Sequence, residues 1–276
     1  MSTSSSHPSD ILLTAERISK RFGITQALDD VTVTFRRGEV HALMGENGAG
    51  KSTLGKVIAG LHKPDAGTVT INLGTPESPR LHEIKPGSLD DAFAAGVRLV
   101  HQELAQCPNL TVAENLCLHD IPTTSLGFVS RRAMIERAAR LLAPLEPAIN
   151  PAAELGSLSP GHRQIVQIAG ALDDRQDASK KGDGKEHSHA RVIVLDEPTS
   201  SLAVAEVDRL LAIVRKLAAD GVTVIYVSHR MGEIFDVCDR VSVLRDGKYI
   251  ATSVVKEIDN ATLVEQMIGR RIAETS

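Results

Sequence analysis

The 276-residue sequence predicts an α/β fold built on a parallel sheet with crossover helices, and three observations carry that prediction. The last third alternates apolar runs of strand length, at 192–195, 222–227 and 241–244, with a helix whose face is lined by Val204, Val207, Leu210, Leu211, Val214 and Leu217. Such alternation argues for parallel strands joined by crossover helices. The second observation is the octet Gly45-Glu46-Asn47-Gly48-Ala49-Gly50-Lys51-Ser52, set between the apolar run Val40-His41-Ala42-Leu43-Met44 and a helix start at 53–59. The third is a middle segment, about 104–172, that reads as a mainly helical insert.

The octet spells G-x-x-x-x-G-K-S. Successive backbone N–H groups of such a loop point at bound phosphates, and the following helix adds the positive end of its dipole. Glycine is required where the loop visits positive φ and where the anion comes too close for a Cβ. Lys51 reaches the β- and γ-phosphates, and the Ser52 hydroxyl ligates Mg²⁺. Thr53 then opens the helix.

Elsewhere the elements follow from periodicity. Val31, Val33 and Phe35 alternate with Thr32 and Thr34, and Val69 and Ile71 alternate after a Pro64-Asp65-Ala66-Gly67 turn. These read as antiparallel strands laid beside the nucleotide strand. In the insert, Met134, Ile135, Ala138, Leu141, Leu142 and Leu145 fall at helical spacing behind Ser130 as N-cap, until Pro144, Pro147 and Pro151 break the pattern. A second helix follows Ser159-Pro160-Gly161. Residues 173–190, polar and aperiodic, read as a mobile surface loop in which His187 and His189 are solvated rather than metal ligands. The Ser-rich residues 1–10 read as a frayed tail without the apolar core of a signal peptide.

Composition sets outer limits. Apolar content of 42% is ample for a core, and a net charge of −4 gives no electrostatic case for nucleic-acid binding. Cys107, Cys117 and Cys238 lack metal-type spacing and read as reduced packing thiols. No apolar run has the length of a membrane span, so a membrane role must come through a partner.

A phosphate loop hydrolyses nothing without metal positioning and an attacking water. Ile193-Val194-Leu195-Asp196-Glu197 supplies candidates for both: a strand delivers Asp196 to hold Mg²⁺ through its water shell, and Glu197 to orient and deprotonate water. Leu158-Ser159-Pro160-Gly161-His162-Arg163-Gln164 is a Ser-capped helix start, a second anion-binding geometry. His229 follows the strand at 222–227, either as a hydrogen-bond donor to a γ-phosphate or as a structural histidine. Gln102 follows the strand-like Leu99-Val100, within reach of metal or water. Phe22 is either a base-stacking aromatic or a core side chain.

Taken in order, these segments resemble the ATPase subunit of an ABC transporter from about Ile11 to Arg270. Gly45–Ser52 is similar to its Walker A, Gln102 to its Q-loop, Leu158–Gln164 to its signature, Ile193–Glu197 to its Walker B with catalytic glutamate, and His229 to its switch histidine. Phe22 stands where that family stacks adenine. The resemblance implies a P-loop NTPase fold over 11–272: a RecA-like core with an antiparallel β subdomain and an inserted α-helical subdomain. It also implies ATP and Mg²⁺, with Ser52, Gln102 and Asp196 toward the metal and Glu197, His229 and Gln102 in catalysis. Gly45 to Thr53, Phe22, Ser159 and Gly161 would contact nucleotide. The stretches 43–54, 110–115, 228–235 and 244–247 resemble, more narrowly, importers of ribose, galactose, xylose and similar monosaccharides.

That family packs two ATPases head to tail, each ATP lying between Walker A of one and the signature of the other. The sugar importers usually carry both halves in one chain. A single set of motifs here implies a homodimer or a paired ATPase subunit. Transmembrane permease subunits and, indirectly, an extracytoplasmic sugar-binding protein complete the implied assembly, at the cytoplasmic face of the cell membrane. Three departures bear on hydrolysis and coupling: Pro160 lacks an N–H, His162 replaces the usual glutamine, and Ala203 stands where an aspartate is frequent. The rivals are an ABC ATPase of another importer, a soluble non-transport ABC ATPase, and a signalling GTPase, for which no Asn-Lys-x-Asp guanine reader is present.

Overall fold

In the computed structural model, the described residues are 10–100, 106–124, 126–174 and 189–269. The expected tail, Gln102, the start of the helical insert and most of the 173–190 loop fall outside them. Ten strands and eight α-helices occur among the described residues, in the order β1 (Ile11–Phe22), β2 (Thr25–Arg36), β3 (Val40–Met44), α1 (Lys51–Ile58), β4 (Ala66–Asn72), β5 (Leu81–Ile84), α2 (Leu89–Ala94), β6 (Val97–Val100), α3 (Val112–Leu116), α4 (Arg131–Leu142), α5 (Pro160–Ala171), β7 (Val192–Asp196), α6 (Val204–Ala219), β8 (Thr223–Val227), α7 (Met231–Val237), β9 (Arg240–Arg245), β10 (Lys248–Val254) and α8 (Asn260–Ile268).

The chain divides into two units. The first, Met1–Leu99 with Arg191–Glu197 and Val214–Ser276, carries both sheets except Val100 at the end of β6. The six-stranded sheet has the order β10-β9-β3-β8-β7-β6, and β3 pairs in parallel with both β8 and β9. Strands β3, β7 and β8 are buried at every residue, which is why they read as unbroken apolar runs rather than as alternation. Their carboxyl ends converge on the phosphate loop, the place where open parallel sheets hold ligands.

The expected antiparallel strands form a sheet of their own, β2-β1-β4-β5, rather than extending the sheet that contains β3. Their inner faces carry Leu13, Ala15, Ile18, Val31, Val33, Phe35, Val69 and Ile71. These enter one core with Leu54, Val57 and Ile58 of α1 and with Val194, Ile225 and Val227 of the parallel sheet. The antiparallel strands therefore cover the phosphate-loop helix by burying a face against it, which is a packing relation and not a hydrogen-bonded one. The turn expected at 64–67 ends earlier, since Ala66 and Gly67 already open β4.

In the second unit, Val100–Ala190 with Pro198–Ile213, the described residues are mainly helical. Helix α4 starts where Ser130 accepts from the Ala133 N–H, and it ends at Leu142, two residues before Pro144. Leu145 consequently lies outside it. Met134, Ala138 and Leu142 of α4, Val112 and Leu116 of α3, and Ile165, Val166 and Ala169 of α5 are all buried. In α6, Leu210, Leu211, Val214 and Leu217 are buried as the periodicity predicts, but Val204 is 81% exposed at the first turn.

Candidate functional site

Strand β3 runs straight into the phosphate loop, and the loop's glycines are explained by stereochemistry. At Gly45, φ is 153° and a Cβ would lie 2.2 Å from the Leu244 carbonyl oxygen; at Gly50, φ is 98° and a Cβ would lie 2.5 Å from the Ala27 carbonyl oxygen. Gly50 caps α1 without any side-chain hydrogen bond, which leaves the first-turn amides to an anion.

Lys51 is buried, and its Nζ donates to the carbonyl oxygens of Gly45 and Glu46, both at 2.9 Å. Burial lowers the pKa of this ammonium, and the Glu197 and Asp196 carboxylates pull it back up. Ser52 Oγ donates to Asp196 Oδ1 at 2.6 Å. Asp196, the last residue of β7, is buried.

Glu197 leaves the strand in a left-handed conformation, φ 47°, with its N–H on the Val227 carbonyl at 2.9 Å. That conformation costs a non-glycine residue about 1–2 kcal/mol, and strain of this kind concentrates at functional positions. The Glu197 Oε1 lies 3.2 Å from His229 Nδ1, just beyond β8. Side chains as far apart as Lys51 and His229, 178 positions, are thus gathered by three neighbouring strands, β3, β8 and β7.

Thr25, Ala27, Asn47, Gly48, Gly50, Lys51, Ser52, Thr53 and Glu197 line a cleft of about 280 Å³. Thr25 and Ala27 of β2 carry no chemistry in their side chains that a sequence reading would single out; the close approach of Ala27 to Gly50 brings them in. Phe22 is 45% exposed and meets His62 edge-on at 5.3 Å, with Lys20 Nζ 5.4 Å from the ring centre. It is therefore a surface aromatic rather than a core one.

The two oxygens of Ser52 and Asp196 stand side by side, and hard oxygen donors of this type suit Mg²⁺. Among the described residues no group of three or more His, Cys, Asp or Glu side chains forms an all-protein metal cage. The donor set fits a Mg²⁺ ion that keeps its waters and shares substrate phosphates. Gln102 lies outside the described residues.

Ser159 and Gly161 belong to the helical unit. Ser159 caps α5, its Oγ accepting from the His162 N–H at 3.3 Å. Pro160 occupies the first turn, where a missing N–H removes no intrahelical bond, so this departure is structurally neutral. The Gly161 N–H donates to Glu206 Oε1 at 3.1 Å, and the Ser159 hydroxyl hydrogen-bonds the same carboxylate. Glu206 Oε2 accepts from the Ala203 N–H at 3.1 Å. His162 Nε2 lies 3.0 Å from an Arg209 nitrogen, and Arg209 pairs with Glu146 at 3.2 Å. Sequence reasoning passed over Glu206. Its one signal was an acid three residues after a helix entry, the acidic half of a capping box whose other half, Ala203, has no side-chain oxygen.

Comparison with known proteins identifies the family. A family model described as ABC transporter matches residues 28–178. The chain is 43% identical over 258 residues to the arabinose import ATP-binding protein AraG of Pseudomonas syringae pv. tomato, an alignment that covers 93% of this chain and 46% of that one. It spans about half the length of the curated relatives it matches. Among solved structures, a nucleotide-free ATP-binding cassette from an ABC transporter superposes with a TM-score of 0.73 at 26% identity, covering 94% of this chain and all of that one. A dimeric ATP-binding cassette bound to ADP and Pi, in a post-hydrolysis state, gives 0.65 at 25% identity, covering 88% and 99%. On fold, motif order and family model together, the chain belongs to the ABC transporter family.

Proposed function

We propose that this chain is an ATP-binding and ATP-hydrolysing unit of an ABC importer that energises uptake of a monosaccharide through a membrane permease. The observation that carries the reading is the convergence of five groups around the phosphate loop: Lys51 inside its loop, Ser52 on Asp196 at 2.6 Å, and Glu197 beside His229 at 3.2 Å. The sugar reading is supported by the relative named for arabinose import.

In this mechanism the loop amides and the α1 N-terminus bind the phosphates. Lys51 exchanges the Gly45 and Glu46 carbonyls for β- and γ-phosphate oxygens. Ser52 and Asp196, with Gln102 as the further candidate, would hold Mg²⁺, which would neutralise charge on the transferring phosphoryl group. Glu197 accepts a proton from water as that water attacks the γ-phosphorus in line, the bond to the bridging oxygen breaks and ADP leaves, and His229 holds the γ-phosphate and orients Glu197. Phe22 stacks on the base. Ser159 and Gly161 meet the γ-phosphate held by a second ATPase unit, so that each complete site belongs to a head-to-tail pair. The permease docks on the helical unit, and a sugar-binding protein outside the cell delivers substrate to it.

Glu197→Gln keeps the shape of the side chain and removes the base. It is expected to bind ATP, to pair in its presence, and to hydrolyse at least 100-fold more slowly than the wild type. Turnover within threefold of the wild type would remove Glu197 from this role. Purification from membranes with a permease subunit tests the transport reading, and a soluble protein that never associates with one would favour a non-transport ATPase.

A further inference from the structure

The helical unit contains an acid at an unexpected place. Glu206 lies on the first turn of α6, and its carboxylate accepts from the Gly161 N–H at 3.1 Å, from the Ser159 hydroxyl, and from the Ala203 N–H at 3.1 Å. The contact is tight: a Cβ added at Gly161 would lie within 2.8–2.9 Å of the Glu206 side chain. Three donated hydrogen bonds hold Glu206 in its charged form, below the ordinary glutamate range. The N-terminus of α5 therefore already carries its anion, supplied by the same chain.

From this geometry we infer that Glu206 is an internal counter-anion that occupies the signature donors and must release them before a nucleotide γ-phosphate can use them. The inference rests on the reading that Ser159 and Gly161 meet the ATP of a second unit. A γ-phosphate needs the same N–H and the same hydroxyl. Each has one proton to donate, and a carboxylate beside a phosphate repels it. Closure of the paired units is then an exchange of anions, in which ATP gains the α5 terminus only as Glu206 gives it up. Glu206 thus acts as a positioning residue that fixes the signature segment while the unit is apart and raises the ATP concentration at which pairing occurs.

Two features keep this exchange reversible. The Ala203 N–H offers Glu206 Oε2 a separate anchor on its own helix, so the side chain can release Gly161 without losing every partner. Arg209 lies one turn further along α6, beside His162 and paired with Glu146, and gives the segment a nearby positive charge.

The test compares Glu197→Gln with the double variant carrying Glu206→Gln as well, in the full chain. Glutamine preserves the length of the side chain and the capping bond to Ala203 and removes the charge. Light scattering against ATP concentration, with Mg²⁺ present, reads the midpoint of dimerisation. The double variant is expected to dimerise at an ATP concentration about three- to tenfold lower, while its affinity for ADP as a monomer is unchanged, because ADP brings no γ-phosphate. An unshifted or higher midpoint, with the same melting temperature, would overturn the inference. If Glu197→Gln alone fails to dimerise at saturating ATP, it is the paired-site reading that fails instead. A double variant that melts early is replaced by Glu206→Asp, which keeps the charge and shortens the reach, and which must also lower the midpoint.

Discussion

At the scale of single residues, the site is held ready by bonds that substitute for a ligand. Lys51 rests on its own loop's carbonyls, Ser52 on Asp196, and Gly161 on Glu206. Each is a polar group that would be costly to bury unpaired, and each is satisfied by a partner that, on the proposed function, a nucleotide phosphate or its metal replaces. The loop's backbone is less forgiving. Gly50→Ala places a methyl group 2.5 Å from the Ala27 carbonyl oxygen in a left-handed conformation. It is expected to abolish nucleotide binding in a titration with a fluorescent ATP analogue and to lower the melting temperature; binding within threefold of the wild type would contradict the role given to that glycine. His41, wholly buried on β3, joins Glu39 at 2.8 Å to Ser242 at 2.7 Å. Burial holds its pKa below the ordinary value against the pull of Glu39. Unfolded histidine titrates near 6.5, so below about pH 6.5 the unfolded chain takes up a proton that the native one refuses. Stability then drops as the pH is lowered through this range, by at most about 1.4 kcal/mol per pH unit from this residue. His41→Gln should flatten the fall in urea midpoint between pH 7.5 and pH 5.5, and an unchanged slope would remove His41 as its source.

At the scale of elements, the parts most legible in the sequence were those with an unbroken apolar run or a clear helical period. Strands β7 and β8 were unbroken apolar runs because both faces are buried, and α4 and α5 announced themselves by a serine cap and a helical stripe. Strand β1 was missed for a physical reason: Arg17 takes φ 53° and the register with β2 slips around it, so Leu12, Leu13, Ala15 and Ile18 are buried without strict alternation. The separation of the two sheets was equally illegible, since residue patterns state which face is buried and not against what. Short α3 owes its existence to its cap. Thr111 Oγ1 accepts from the Glu114 N–H at 3.2 Å while Glu114 accepts from the Thr111 N–H at 2.8 Å. Thr111→Ala is expected to cost about 1 kcal/mol, or about 2–4 °C in melting temperature for a chain of this size. Calorimetry that finds no shift would show that α3 is held by its buried face alone.

At the scale of the whole molecule, the proposed function makes the sequence octet at Gly45 one half of a catalytic site. The parallel sheet brings Lys51, Ser52, Asp196, Glu197 and His229 together, whereas Ser159 and Gly161 stand in the helical unit with their donors engaged by Glu206. What no single-chain pattern carried was Glu206, because an acid after a turn is usually a cap and becomes informative only when its oxygen is found on Gly161. On the proposed function, hydrolysis is a property of two units, each supplying what the other lacks. Mixing two disabled variants tests this directly. Lys51→Ala removes the phosphate-binding lysine but keeps an intact signature; Gly161→Asp disables the signature but keeps an intact phosphate loop. Each alone is expected to be inactive, and random pairing in the mixture gives mixed dimers with one complete site, restoring roughly a quarter of wild-type ATPase activity. A mixture that hydrolyses no more ATP than the sum of its two components, although mixed dimers form, would contradict the account.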